Sequence, residues 1–421
     1  MKRVPLRHVL AVFVGNGLEF YDFVTFSYFS VYIGRTFFPS GNHDLSLLAA
    51  LATFGVGFLT RPVGAVVLGA MGDRVGRKPA MLATFALMGV AITGLALTPS
   101  YAQIGPAAPV LVILFRLLQG FALGGEVGPT TAFMTEAAPP ERRGFYLSLQ
   151  YTTQDCATLA AGIVGVVLAA NLSDAQLTSW GWRAAMLLGA AIVPFGLWVR
   201  HHLPETLETP TPPGAAARLA RPHMRLFVLG IVMLVAGTVG NYTLGYMTTY
   251  ALDTLKLPAA TAFGITIVNG AAYIVSQTFA GWWSDLWGRK VVMIVPSVLL
   301  LVAIFPCFWL IEHVRGVWVL YGAQAVMVLL AGAGATPVIV AIAELLPAPI
   351  RSGAMATVYA LAISLFGGST QFVIKALLAW TANPFAPAWY WSACAVAGLV
   401  AMVMMPESAP VKRKYKGQAV E

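Results

Sequence analysis

Of 421 residues, 58% are hydrophobic and only 10% are charged, with a mean hydropathy of +0.76. Soluble domains carry about 25% charged residues, so a water-soluble globule is excluded and a polytopic membrane protein is expected. The net charge of +9 raises nucleic acid as a partner, but the positions of the bases argue against it, as counted below.

A helix needs about 20 apolar residues to cross the hydrocarbon, and the apolar runs predict twelve such spans. They lie at roughly 9–33, 46–70, 79–98, 107–137, 144–170 and 181–200, then 225–252, 260–284, 291–311, 316–346, 353–380 and 386–406. The expected organisation is an N-terminal six-helix bundle over 1–200, a Pro- and Ala-rich linker over 201–224, a C-terminal six-helix bundle over 225–406 and a basic tail over 407–421. Met1-Lys-Arg leads into an apolar run holding Glu19 and Asp22, too long for a cleavable leader. Cys156, Cys307 and Cys394 lie in apolar runs at no ligand spacing, so neither a disulfide framework nor a metal site is expected, and no cofactor.

Alternate loops differ sharply in charge. One set, including both termini and the linker, holds nineteen Lys and Arg, and the other holds only Arg35, Arg183, Lys256 and Arg315. The positive-inside rule therefore places both termini in the cytoplasm. This asymmetry accounts for the basic pI without nucleic acid.

Within the basic loops a connector recurs. Gly69-Ala-Met-Gly-Asp73-Arg74-Val-Gly76-Arg77-Lys78 follows span 2, and Gly281-Trp-Trp-Ser-Asp285-Leu-Trp-Gly288-Arg289-Lys290 follows span 8, 212 residues later. A second repeat closes spans 4 and 10, as Glu136-Ala-Ala-Pro-Pro-Glu-Arg-Arg143 and Glu344-Leu-Leu-Pro-Ala-Pro-Ile-Arg351. A weaker echo pairs Val14-Gly-Asn16 with Val239-Gly-Asn241. Ordered self-similarity at similar offsets indicates internal duplication, an architecture of secondary transporters.

Twelve spans with this connector resemble the major facilitator superfamily. Gly15-Asn-Gly-Leu-Glu19-Phe-Tyr-Asp22-Phe, Arg61-Pro-Val-Gly64-Ala, Arg116-Leu-Leu-Gln119-Gly120, Gly124-Gly-Glu126 and Trp180-Gly-Trp-Arg183 resemble its metabolite:proton symporter family. The tract from Thr36-Phe-Phe-Pro39 onward is most similar to the citrate and tricarballylate branch. The resemblance implies an all-α fold of two pseudo-symmetric six-helix bundles and proton-coupled uptake of a small organic anion by alternating access. It also implies a bacterial inner-membrane location. The partners are then the anion, protons and the lipid bilayer, and a monomer is expected.

Ionisable groups inside a membrane cost about 2.5–3.5 kcal/mol each on insertion scales, so each is a functional candidate. Asp22 lies about 20 Å into span 1 and Arg116 about 14 Å into span 4 from the opposite face, at 1.5 Å per residue. The two can meet at one level, with Asp22 carrying the proton and Arg116 tuning it; the resemblance points to the same pair. Glu19 shares the face of Asp22 and is the rival carrier. Glu126 on span 4 is read either as a relay carboxylate or as a packing partner.

Lys375, well inside span 11 with no counterion nearby in sequence, is expected to favour anions. With Arg116 it makes a carboxylate clamp of one base per half; the alternative is that Lys375 snorkels to the outer interface. Tyr151, Gln154 and Asp155 on span 5, Asn241, Tyr242 and Tyr246 on span 7, Asn269 on span 8 and Gln371 on span 11 are further substrate-binding candidates. Tyr273 and Gln277 add to them from span 8, and Arg61 is read as substrate-binding or structural. The connectors suggest a cytoplasmic latch of Asp73, Arg77 and Glu136, echoed by Asp285, Arg289 and Glu344; the bland alternative is topology alone.

An enzyme is not expected. The six histidines are scattered, with no metal spacing and no nucleophile motif. The rival within transport is uptake of a zwitterionic osmolyte such as betaine or proline.

Overall fold

The computed structural model describes Gly17, Phe20, Tyr21 and residues 23–74, 77–124, 131, 134–135, 138–201, 221–314 and 316–415. Of the sequence candidates, Glu19, Asp22, Glu126 and Glu136 lie outside the described residues, and Asp73 and Arg77 are described only as backbone in their helices.

The described chain is helical almost throughout, because within a bilayer every backbone polar group needs an internal partner. Eight helices among the described residues are long and apolar enough to cross a membrane, and Leu82–Leu97 and Ala107–Leu123 are shorter apolar helices. Local chemistry sets the ends. Asn42 accepts from the Asp44 N–H at 2.8 Å to start His43–Leu59. Ser173 and Gln176 form a reciprocal capping box ahead of span 6. Span 9, Arg289–His313, follows Gly288, whose φ of +99° suits a residue without a side chain.

Three predicted spans are less regular than expected. Span 2 is two helices, His43–Leu59 and Arg61–Arg74, meeting at Thr60, whose hydroxyl donates to the Leu117 carbonyl at 2.6 Å. Span 11 carries a π turn at Ile363–Gly367 between Ala348–Ala362 and Gly368–Thr381. Span 6 is entered through another at Leu177–Gly181. A π turn inserts one residue into the helical ladder, which no apolar periodicity reveals.

Two seams join the halves. Span 5, Arg143–Asn171, runs along span 8, Ala259–Trp287. Their backbones approach so closely that a Cβ on Gly281 would stand 2.6 Å from the Gly144 carbonyl oxygen, a small-residue seam of the kind membrane helices use. Across the fold span 2 meets span 11, where a Cβ on Gly368 would stand 2.8 Å from the Gly55 oxygen. The second sequence repeat has a common structural meaning in both halves. Arg143 Nε donates to the Thr135 carbonyl at 3.0 Å and Arg351 Nε to the Ala343 carbonyl at 2.7 Å. Each guanidinium reaches back eight residues to carbonyls ending the preceding span, where a helix leaves acceptors unpaired.

Candidate functional site

Between the seams lies a cavity of about 160 Å³, lined from both halves. Span 1 contributes Phe23, Ser27 and Tyr28, span 5 Tyr151, Gln154, Asp155 and Thr158, span 7 Asn241 and Tyr242. Span 8 adds Asn269, Tyr273 and Gln277, and span 11 Tyr359 and Gln371. The walls are thus tyrosine-rich, with a few amides and one described carboxylate, the usual chemistry of a small-molecule site.

The sequence candidates divide into groups here. Tyr151, Gln154, Asp155, Asn241, Tyr242, Asn269 and Gln371 line the cavity, as do Tyr273 and Gln277. Some are already engaged. Asn269 donates to the Leu244 carbonyl at 3.1 Å and accepts from Gln324 at 2.6 Å, so it braces spans 7, 8 and 10. Gln371 exchanges hydrogen bonds with Ser27 at 2.7 and 2.9 Å, tying span 11 to span 1. Asn241 is exposed and has no hydrogen-bond partner among the described residues. Asp155 is 8% exposed, and its Oδ2 is buried without a partner. Tyr246 does not line the cavity; it is fully buried in the packing of the C-terminal half.

Two arginines within spans of the N-terminal half, Arg61 and Arg116, back the cavity wall. Arg116 is 1% exposed, bonded to Gln119 and, at 3.2 Å, to the Phe54 carbonyl. Its guanidinium lies 5.3 Å from the Phe23 ring centre and 4.4 Å from that of Phe26. Arg61 lies 4.8 Å from the Phe23 ring centre and 4.3 Å from that of Phe58, and its Nε is buried without a partner among the described residues. Both cations sit against aromatic faces, a favourable electrostatic arrangement in a dry interior.

Lys375 corrects the sequence expectation. Its ammonium is not without counterions: it donates to Asp44 and to Asp253, each at 2.6 Å. Asp253 also bonds His43 at 2.9 Å and lies 3.7 Å from Lys256. Lys375 is absent from the cavity wall, as is Arg116, so the two do not form a clamp around it in this structure. The physical reason is depth. Asp44 opens span 2 and Asp253 closes span 7, at the end where Lys375 nears the close of span 11. A lysine buried there finds partners that opposite helix termini supply. The predicted spans begin at 46 and end at 252, so Asp44 and Asp253 both fell just outside them.

At the basic end the second connector is folded as an ion cluster. Arg289, fully buried, donates to Asp285 at 2.6 Å and to Glu344 at 2.9 and 3.2 Å. Asp285 in turn accepts from the Gly144 and Phe145 N–H groups, both at 2.9 Å. A carboxylate of the C-terminal half thus caps the first turn of span 5, where the helix dipole favours negative charge. Glu407, which sequence reasoning passed over, accepts from the N–H groups of Arg289 and Lys290 at 3.0 and 3.1 Å. An acid shortly after the last span was the available signal. Ser27, Tyr28, Thr158 and Tyr359 were also missed as lining residues, since hydroxyls on apolar helices look like packing.

Known proteins share this organisation. The family model described as Major Facilitator Superfamily matches residues 12–272, and one described as Sugar (and other) transporter matches 261–419. The chain is 33% identical over 399 residues to a citrate-proton symporter of Klebsiella pneumoniae, covering 93% of this chain and 90% of that protein. It is 31% identical over 420 residues to a glycine betaine/proline/ectoine/pipecolic acid transporter of Dickeya dadantii (strain 3937), covering 95% and 83%. The crystal structure of a D-xylose-proton symporter superposes with a TM-score of 0.77 at 19% identity, covering 99% of each chain. That likeness shows the fold, and these relatives are carriers, not enzymes. The chain belongs to the major facilitator superfamily and is a multi-pass membrane transporter.

Proposed function

We propose that the protein imports a small organic anion together with protons, by alternating access of the central cavity from the two sides of the membrane. Citrate or a related tri- or dicarboxylate is the best substrate class. The observation that carries this reading is the pair of guanidiniums, Arg61 and Arg116, held against the same cavity-lining ring, Phe23, at 4.8 and 5.3 Å. Fixed positive charge behind a low-dielectric wall attracts carboxylates. The citrate-proton symporter among the relatives supports the same class.

Proton coupling is assigned to Asp22 with Arg116, with Glu19 and Glu126 as the other carboxylates of spans 1 and 4. Lys375 holds Asp44 while that end is closed, and opening frees it for a substrate carboxylate. Both termini face the cytoplasm of a bacterial inner membrane, an orientation that the basic loops support. The chain works as a monomer divided at 1–200, 201–224, 225–406 and 407–421.

A second reading has its own observation. Asp155 and the rings of Tyr28, Tyr151, Tyr242 and Tyr273 make a wall suited to a quaternary ammonium group, so a zwitterionic osmolyte is the rival cargo. Purified protein in liposomes decides between them. With an inward proton gradient, labelled citrate, tricarballylate or a dicarboxylate accumulates above the no-gradient level and betaine does not. Accumulation of betaine alone overturns the anion reading.

A further inference from the structure

Asp155 is the one described carboxylate on the cavity wall. It is more than nine-tenths buried, and its Oδ2 accepts no hydrogen bond. No Lys, Arg or His among the described residues pairs with it. The titratable groups near it are Tyr28 of span 1, Tyr151 and Cys156 of its own span, and Tyr273 of span 8, all of which carry no charge to offset it. Glu19 and Asp22 of span 1 lie outside the described residues. An ionised carboxylate so placed has no counterion among the described residues and no donor to its Oδ2, which a buried charge requires. The arginines stand elsewhere, against Phe23, Phe26 and Phe58. The cavity therefore presents cations behind one wall and, among the described residues, a single acid on another.

That arrangement poses a conflict for an anionic cargo. A substrate drawn in by Arg61 and Arg116 meets a like charge at Asp155, unless that carboxyl holds a proton. We propose that Asp155 takes up a proton as the organic anion enters, so that the loaded cavity contains the neutral acid and the substrate together. The proposal rests on the organic-anion reading above and adds a proton-binding site inside the substrate cavity. Charge balances simply: one proton from the entry side bonds to a carboxylate oxygen, and leaves to the opposite side after the substrate has gone. The neutral acid also gains an O–H donor to offer the cargo, a contact the carboxylate cannot make.

The linkage has a definite sign. If only the protonated form binds the anion, apparent affinity is scaled by the protonated fraction. Affinity then falls about tenfold per pH unit once pH exceeds the carboxyl pKa. An ammonium-bearing cargo behaves oppositely, since it pairs with the ionised acid and binds more tightly as pH rises.

The test uses the full chain in detergent, with labelled citrate and labelled betaine binding measured across acid to mildly alkaline pH. Proton uptake on citrate addition is followed in weak buffer. Comparing wild type with Asp155→Asn cancels the ionisation of citrate itself. The expected result is that Asp155→Asn flattens the protein's part of the pH dependence and lowers proton uptake by about one per bound citrate. An unchanged slope and unchanged uptake overturn the proposal. So does a folded Asp155→Asn that binds no citrate at any pH, because the acid then contacts the cargo as an anion or sets the site's shape. If Asp155→Asn fails to fold, Asp155→Glu decides, since moving the carboxyl must shift the pH midpoint; an unmoved midpoint overturns the proposal. Failure of the anion reading looks different: wild type then binds betaine and not citrate, more tightly at higher pH.

Discussion

The two ends of the molecule are tied by ion clusters of opposite character. At the basic end a fully buried arginine sits between two carboxylates that are each at most 4% exposed, with an adjoining serine and backbone donors completing the cluster. At the far end a lysine joins an Asp253 that is 3% exposed, an Asp44 that is 49% exposed and, through Asp253, a His43 that is 38% exposed. The first is a planar fork held on both sides, and the second is a point charge shared among partners in contact with water. Their connectivity differs as well. Arg289, Asp285 and Glu344 all belong to the C-terminal half, and among the described residues their hydrogen bonds to the other half are those of the Asp285 cap on span 5. Lys375–Asp44 and Asp253–His43 join the halves directly. The basic-end cluster thus shapes one bundle, whereas the far-end cluster is a fastening between two.

This difference orders the consequences of breaking each. Arg289→Gln leaves Asp285 and Glu344 buried without their cation, and removing one partner of a buried pair costs about 3–5 kcal/mol. Thermal unfolding of the detergent-purified protein should show it as a large fall in Tm; a Tm within a degree or two of wild type would show that water reaches the cluster. Next comes Asp285→Asn. It removes the charge facing the first turn of span 5 and weakens one of two carboxylates on Arg289, an effect of about 1–2 kcal/mol on the scale of helix-end charges in partly buried sites. Its signature is that accessibility changes at the basic end while the far end stays closed.

At the far end the expected energy is smaller and the expected motion larger. Because Asp44 is half exposed, its pair with Lys375 is worth at most about 1 kcal/mol in a double-mutant cycle, and less at high salt. Yet this pair holds two bundles, so Lys375→Gln should expose the seam behind it. Ser30 of span 1, fully buried and 3.3 Å from the Thr249 hydroxyl of span 7 in the other half, is the position to watch. Ser30→Cys, in a chain with the native cysteines replaced, should label faster with a polar thiol reagent once Lys375 is neutral. Equal labelling rates would remove Lys375 from the fastening.

The contrast between the ends also marks where sequence reasoning stopped. The duplicated connector and the second repeat together announced Asp285, Arg289 and Glu344 as a group, because repetition preserves short local patterns. The membrane class followed from composition, and the family from the resemblance of its motifs. Lys375 was singled out correctly as unusual but given the wrong surroundings. Its partners come from positions 44 and 253, far apart in the chain and on different helices, and only packing brings them together. The cavity shows the same limit. Tyr151, Gln154 and Asp155 were legible as polar residues clustered on an apolar helix, whereas Ser27 and Tyr28 were hidden in a span whose charged residues drew the attention. Arg116 was expected to face the cavity; it lies behind Phe23 and Phe54, because aromatic faces shelter a guanidinium that a dry wall would not.

The smallest expected effect tests whether the two ends are independent. Midway along the span 5–span 8 seam, Thr152 and Thr278 share a hydrogen bond of 2.9 Å across the halves. Thr152→Val keeps the shape, removes that bond and leaves the Thr278 hydroxyl to find another partner, a loss of about 0.5–1.5 kcal/mol. The seam is otherwise held by close backbone approach at Gly144 and Gly281, which a methyl for a hydroxyl does not disturb. Stability should therefore fall slightly, while Ser30→Cys labelling and the basic-end accessibility both stay at their Thr152 values. If labelling at either end changes as well, the seam transmits opening along its length, and the two clusters act as one latch.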